Sequence, residues 1–178
     1  SCLKIPMVMS NTYNRYVDSD HAGDRSTGTQ SRTGLVFYLN GMPYLWRSKK
    51  QPVTAVSSAE AEIYALSEAG KAAKATNWVA EDLGLKMQWP ATIMVDNAAA
   101  IRFQQSTNNS TKLKGMINLR DQHIKEMKNK KFIVTSKVNG LYNLADAKTK
   151  CLTAKDRSRL DLVHANMYAK IIAHSCTI

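Results

Sequence analysis

Cysteine is sparse in this chain. The three that occur, Cys2, Cys151 and Cys176, stand far apart, with neither a CxxC pair nor a Cys/His ligand spacing among them. A scattered, odd set argues against a disulfide framework and a zinc site, and it fits a reducing compartment. No apolar run is long enough to span a bilayer, and the opening SCLKIPMVMS is too short for a secretory signal. The expectation is a soluble intracellular protein of cytoplasm, nucleus or organelle, without membrane insertion. Internal repeats and long linkers are also missing, so the 178 residues read as one domain with a core of its own, plus a terminal extension. Acids are outnumbered, 14 against 25 lysines and arginines, for a formal charge of +11. Such an excess favours phosphate backbones or anionic membrane surfaces, and by itself chooses neither.

What is present is a change of period along the chain. RYVDSDHAG reads as a strand, GDRSTGTQSRTG as a turn-rich loop, and GLVFYLNG as a second strand closed by Asn40-Gly41, a hairpin signal. MPYLWRSKK and PVTAV read as a third strand and its continuation. From Ser57 the apolar residues recur at helical spacing through SSAEAEIYALSEAGKAAKATNWVAEDLG. Ser57 and Glu60 form a capping-box pair at its start, and Gly84 is the stop. ATIMVDN is a buried strand, AAAIRFQQS a short helix, INLRDQHIKEMKNKK a basic helix and FIVTSKV a last strand. NLADAKTK is a helical turn, and AKDRSRLDLVHANMYAKIIAH an amphipathic terminal helix. A meander followed by βαβ units predicts an α/β fold, a mixed five-stranded sheet with helices on its faces. The domain would span 1–152, with a lead-in over 1–14 and the helical extension over 153–178.

Four carboxylates fall where such a sheet would gather them. Asp18 lies on the first strand, Glu62 in the first turns of the long helix, Asp96 at the end of the fourth strand, and Asp146 at the start of the helix after the last strand. Gathered carboxylates repel one another unless cations neutralise them, and their hard oxygens suit Mg²⁺ or Mn²⁺. Two such ions about 4 Å apart would activate water and stabilise the leaving oxygen of a phosphodiester. Plainer readings stand beside each residue. Asp20 shares a strand face with Asp18 and reads as a supporting or solvated acid before a ligand. Asp96-Asn97 also reads as a helix N-cap, and Asp146 as an acid placed by the helix dipole. A polymerase would need adjacent aspartates at a hairpin tip and a far larger chain, and is excluded.

In this order, YVDSDHAGD, TGLVFYLNGMPYLWRSKKQP, SSAEAEIYALSEA, VDNAAAI and NLADAKTKCL resemble the ribonuclease H domain of Copia-type LTR retrotransposon polyproteins, from roughly Tyr16 to Leu152. The resemblance implies a ribonuclease H-like fold and hydrolysis of the RNA strand of RNA/DNA hybrids with two Mg²⁺ (or Mn²⁺) ions. Residue by residue, Asp18, Glu62, Asp96 and Asp146 would be the catalytic, metal-holding acids, with Asp18 bridging both ions and Asp20 and Asn97 just outside. Family members often carry Lys-His ahead of an Ile-Asp pair where this chain has Gly115-Met116-Ile117-Asn118, and a later histidine where it has Gln122 beside His123. The family's helper histidine thus has no counterpart in register here. A reverse transcriptase domain normally precedes this one and is the implied partner.

The basic excess has a reading in this light. Lys112, Lys114, Arg120, Lys125 and Lys128 around the third helix, with Lys49 and Lys50 in WRSKKQP, would track the phosphates of a bound hybrid. The plain alternative for each is a solvated helix or strand face. Trp46, Trp78 and Trp89 read as core. Two other functions compete with the nuclease. A transposase or resolvase of the same fold would cut DNA. A host-adopted domain with dispensable catalysis would serve as a nucleic-acid-binding or structural subunit of a host protein complex, with the terminal helix as a docking surface.

Overall fold

The computed structural model describes residues 12–21, 30–105, 119–150 and 152–175, except the side chains at 119–121, 167, 168 and 170–175. Strands β1 (Tyr13–Asp20), β2 (Arg32–Leu39) and β3 (Met42–Lys50) form the antiparallel meander. β4 (Ala91–Val95) and β5 (Ile133–Lys137) join in parallel, and the order β3-β2-β1-β4-β5 leaves β1 at the centre. Asn40 and Gly41, at φ 49 and 75, turn β2 into β3 in the left-handed region that tight hairpins require. The predicted mixed sheet is the observed one.

Alternation along the strands sorts side chains to two faces. Val17, Leu35 and Phe37 point to one face, where they meet an alanine stripe (Ala61, Ala65, Ala69 and Ala73) on α1 (Ser58–Asp82). Small residues at that spacing let a 25-residue helix lie close on the sheet. The short α2 (Ala98–Gln105) and α3 (Leu119–Asn129) complete this layer through Ala100, Ile124 and Met127. Tyr16, Val36 and Tyr38 point to the other face, which is covered by two 3₁₀ turns, Gly140–Tyr142 and Leu144–Lys148, and by α4 (Ala154–Ser175) through Leu160. Asp18 shares the parity of Tyr16, and so lies on the 3₁₀ side.

The capping signals act much as expected. Ser57 Oγ accepts from the Glu60 amide at 3.2 Å, while the Glu60 carboxylate takes the amide of Val56, one residue earlier than a reciprocal box would use. Gly84, at φ +81, follows the C-cap Leu83.

Two expectations fail. PVTAV does not continue β3, because β3 ends at Lys50 and residues 51–57 hold no strand, with bends at 52, 53, 56 and 57. Gln51 at the junction turns its buried amide to Thr33 Oγ1 (3.1 Å) and to the Ala61 carbonyl (2.9 Å), tying the start of α1 to β2. Trp46 and Trp78 are not core, being 61% and 49% exposed, and Trp89 is only partly buried. β3 is an edge strand whose second half has no covering layer among the described residues, and Trp78 lies on the outer side of α1 beside Lys74 and Phe132.

Candidate metal centre

Four elements deliver acids to one end of the sheet. Asp18 comes from central β1, Asp96 follows the last residue of β4, Asp146 sits in the second 3₁₀ turn, and Glu62 lies in the second turn of α1. One carboxylate oxygen from each of Asp18, Asp96 and Asp146 falls within 4.8 Å of the others, a span that a single ion could bridge. Glu62 is outside that group of three but adjoins it electrostatically, since Asp18 and Asp96 act on its carboxyl. Asp146 belongs to a 3₁₀ turn rather than to the longer helix, which starts only at Ala154.

The electrostatics record the crowding. Burial pushes Asp18 up to about 7, the charges of Asp146 and Asp96 add to it, and Thr149 and Lys150 oppose it. Glu62 rises to about 8, first from burial and then from Asp18 and Asp96, with neighbouring Ser19 pulling the other way. Asp96 is raised by burial and by Asp146, against a hydrogen bond from Asn143. Among the described residues nothing donates to the buried Glu62 Oε2. Hard, crowded, incompletely satisfied carboxylates are the donor set that a divalent cation with octahedral oxygen coordination fits.

Residues that sequence reasoning did not single out hold these acids in place. Asn143 is fully buried. Its Nδ2 donates to the Val17 carbonyl of β1 at 3.0 Å, its Oδ1 accepts from the Ala145 amide at 3.2 Å, and its side chain also hydrogen-bonds Asp96. Thr149 Oγ1 donates to Asp18 Oδ2 at 2.5 Å. Lys150 Nζ lies 3.2 Å from Asp146 Oδ1. Asn143, Thr149 and Lys150 all lie within the quoted NLADAKTK stretch, but only its aspartate carried a recognisable chemistry.

Gly34 makes this approach possible. It pairs with Asp18 across the sheet, and a Cβ there would stand 2.6 Å from Thr149 Cγ2 and 2.9 Å from the Ala145 carbonyl oxygen. The Ala145 oxygen is backbone and cannot swing aside. Gly34→Ala is therefore expected to cost about 1–3 kcal/mol, as overpacking does, and to lift the Asp146 turn from the sheet. Thermal melting together with Mn²⁺ titration checks this, and a variant matching wild type in both would remove Gly34 from the account.

The remaining expected site residues lie further out. Asp20 is half-buried and acts on Lys150 by charge. Asn97 Oδ1 accepts from the amides of Ala99 (2.8 Å) and Ala100 (3.2 Å), so it caps α2 directly behind Asp96. Lys49 and Lys50, exposed on β3, point to opposite faces of the sheet. Lys125 stands over the Phe103 ring, 5.2 Å from its centroid, and Lys128 donates to the Gln105 carbonyl, so both brace α3 against α2. Lys112, Lys114 and 115–118 lie outside the described residues, as does the side chain of Arg120. His123 is hydrogen-bonded to Ser67 on α1 and is not one of the clustered groups, while Gln122 is exposed. An apolar cavity of about 350 Å³, lined by Tyr13, Leu39, Tyr44 and the C-terminal half of α1, opens at the opposite end of the helix from Glu62.

No protein-family model matches the chain. In sequence it is 32% identical over 135 residues, 76% of its length, to the retrovirus-related Pol polyprotein from transposon TNT 1-94 of Nicotiana tabacum, and it spans 10% of that polyprotein. The secreted RxLR effector protein 161 of Plasmopara viticola is 52% identical over 54 residues, 30% of this chain and 37% of that protein. In structure the chain is similar to LC11 ribonuclease H1, solved in complex with an RNA/DNA hybrid, with a TM-score of 0.56 over 78% of this chain and 94% of that one. The identity there is 17%, so that likeness is one of fold. The chain thus has the sequence of a segment of retrotransposon Pol polyproteins and, in sheet order and structure, the ribonuclease H-like fold.

Proposed function

We propose that the chain is a metal-dependent ribonuclease H of Copia type that hydrolyses the RNA strand of RNA/DNA hybrids. The observation carrying this reading is the convergence of Asp18, Asp96 and Asp146 within 4.8 Å, with Glu62 beside them. These four acids would hold two Mg²⁺ or Mn²⁺ ions, which when bound would supply charge neutralisation for hydrolysis of a phosphodiester. The chain's own part is positioning. Asn143 and Thr149 fix the angles of Asp96 and Asp18, and the sheet supplies a rigid floor. Lys50 and Arg32, paired across β2 and β3 at the same end of the sheet as Asp20, offer cationic contacts to a phosphate backbone, as do the lysines of α3. A reverse transcriptase domain of the same polyprotein is the natural partner that would hold the hybrid, inside the cell.

The test is cleavage of a labelled RNA/DNA hybrid with Mg²⁺ or Mn²⁺ beside an Asp96→Asn control. Metal-dependent loss of the RNA strand, reduced about 100-fold or more in the variant, is expected from the several kcal/mol that such ions contribute. Binding without cleavage in the wild type would instead favour a nucleic-acid-binding module whose catalysis is dispensable, and neither binding nor cleavage would favour a structural subunit.

A further inference from the structure

Lys150 occupies an unusual place for a lysine. It follows the second 3₁₀ turn, with its amide on the Asp146 carbonyl at 3.3 Å and its ammonium 3.2 Å from Asp146 Oδ1. Its neighbour Thr149 is bonded to Asp18, so two successive residues engage two of the three clustered acids. The negative charges of Asp18 and Asp146, helped by Asp20, favour the ammonium at this place. The same ammonium acts in return on Asp18 and Asp96. Its side chain is 47% exposed, against 12% for Asp146, so it reaches in from solvent on a flexible stem and has room to withdraw.

We propose that Lys150 is a resident counter-ion of the metal centre, competing with a divalent cation for Asp146 and so setting the concentration at which the centre loads. This inference rests on the reading of the four acids as a metal site. A metal ion and the ammonium on Asp146 Oδ1 would be two cations held close together. An Mg²⁺ ion needs the oxygen at about 2.0–2.1 Å, and a monocation lodged on the same oxygen would stand within strong repulsion of it. Loading therefore displaces the ammonium, and the work of displacement is subtracted from the intrinsic affinity of the carboxylates. Without metal the ammonium partly neutralises the cluster and limits its self-repulsion. The role belongs to the charge and its reach, which makes it separable from simple packing.

The experiment is calorimetric titration of Mn²⁺ into the metal-free chain without nucleic acid, comparing wild type, Lys150→Met and Lys150→Arg, with melting temperatures recorded in chelator. Lys150→Met is expected to bind Mn²⁺ about tenfold more tightly, a factor that corresponds to about 1.4 kcal/mol, and to melt lower when metal-free. Lys150→Arg, which keeps the charge, is expected to stay close to wild type in both. Unchanged or weaker Mn²⁺ binding by Lys150→Met would overturn the proposal, as would tighter binding by Lys150→Arg of the same size, since that would assign the effect to shape. If the methionine variant fails to fold, Lys150→Gln serves in its place with the same expectations. A wild type that binds no Mn²⁺ at all would instead sink the metal-centre reading itself, an outcome distinct from equal binding by wild type and variant.

Discussion

Asp18→Asn is expected to melt higher than the wild type in the absence of metal, and to lose metal-dependent hydrolysis by about 100-fold or more. The lost hydrolysis comes from removing an acid that would hold the metal, and the higher melting from one fact: Asp18 is 3% exposed and its carboxyl is pushed to about 7 by burial and by its acidic neighbours. The unfolded chain holds the group near 3.8. The folded state therefore binds the proton more tightly, and the stabilisation this gives is fully present below about pH 4. It is lost as pH rises through about 7. Glu62, raised to about 8, extends the same loss to higher pH. At pH 8 the metal-free protein carries the ionised Asp18 and a partly ionised Glu62, charges that folding disfavours, and asparagine removes the first without changing shape. A net gain of about 2 kcal/mol would raise the melting temperature of a chain this size by roughly 4–8 °C. At pH 5, where the wild-type carboxyl is protonated, the gap should close. Saturating Mg²⁺ should reverse the order at pH 8, because it stabilises only the protein that binds it, by about 2.7 kcal/mol at a hundred times the dissociation constant. Melting curves at pH 5 and pH 8, with and without Mg²⁺, contain the whole test. An Asp18→Asn variant no more stable than wild type at pH 8 in chelator would mean that the acids are not under electrostatic strain.

Much of this architecture could be read from residue patterns, because local chemistry and tertiary structure agree. Asn40-Gly41 tolerates left-handed backbone, the alanine and leucine spacing of α1 matches the face it buries, and each acid lies at a strand end or helix start. The failures have one physical character. Trp46 has the composition of core but sits on an edge strand, and no local pattern says which strand ends at an edge. PVTAV has the β-branched content of a strand, yet Pro52 and the buried Gln51 amide turn the chain toward α1. For the Asp96-Asn97 dipeptide, by contrast, the helix N-cap reading is the one seen, with the Asn97 oxygen on the amides of α2. The supports of the site were the least legible, since their roles exist only in contacts that span most of the chain. Thr149 meets Asp18 from 131 residues away, Asn143 reaches the Val17 carbonyl from 126, and Gly34 matters only because a distant turn lands on it.

Among those supports, replacing Asn143 by leucine is expected to have the largest structural effect. The asparagine is fully enclosed and its amide is used from both ends: Nδ2 on the Val17 carbonyl and the Asp96 carboxylate, Oδ1 on the Ala145 amide. Leucine has nearly the same size and keeps the apolar contacts, so what it deletes is the bonding. The Val17 carbonyl and the Ala145 amide would each be left buried without this partner, at about 1–3 kcal/mol apiece, and Asp96 would lose a donor that holds its carboxyl down against the rise caused by burial. A total near 3–5 kcal/mol is a large share of the stability of an ordinary domain. The loss should also reach the metal, because Asn143 joins β1, the Asp96 carboxylate and the Asp146 turn at one point. Mn²⁺ affinity should fall along with melting temperature, whereas a destabilising change in the remote cavity, such as Leu39→Ala, should lower melting alone. Asn143→Asp is the sharper comparison. It keeps an acceptor for the Ala145 amide but removes both Nδ2 donors and adds a negative charge beside Asp96, so metal-free melting at pH 8 should fall further and recover at pH 5. If Asn143→Leu melts lower yet binds Mn²⁺ as the wild type does, the acids hold their geometry without it, and the 3₁₀ turn is placed by Gly34 and Thr149 instead.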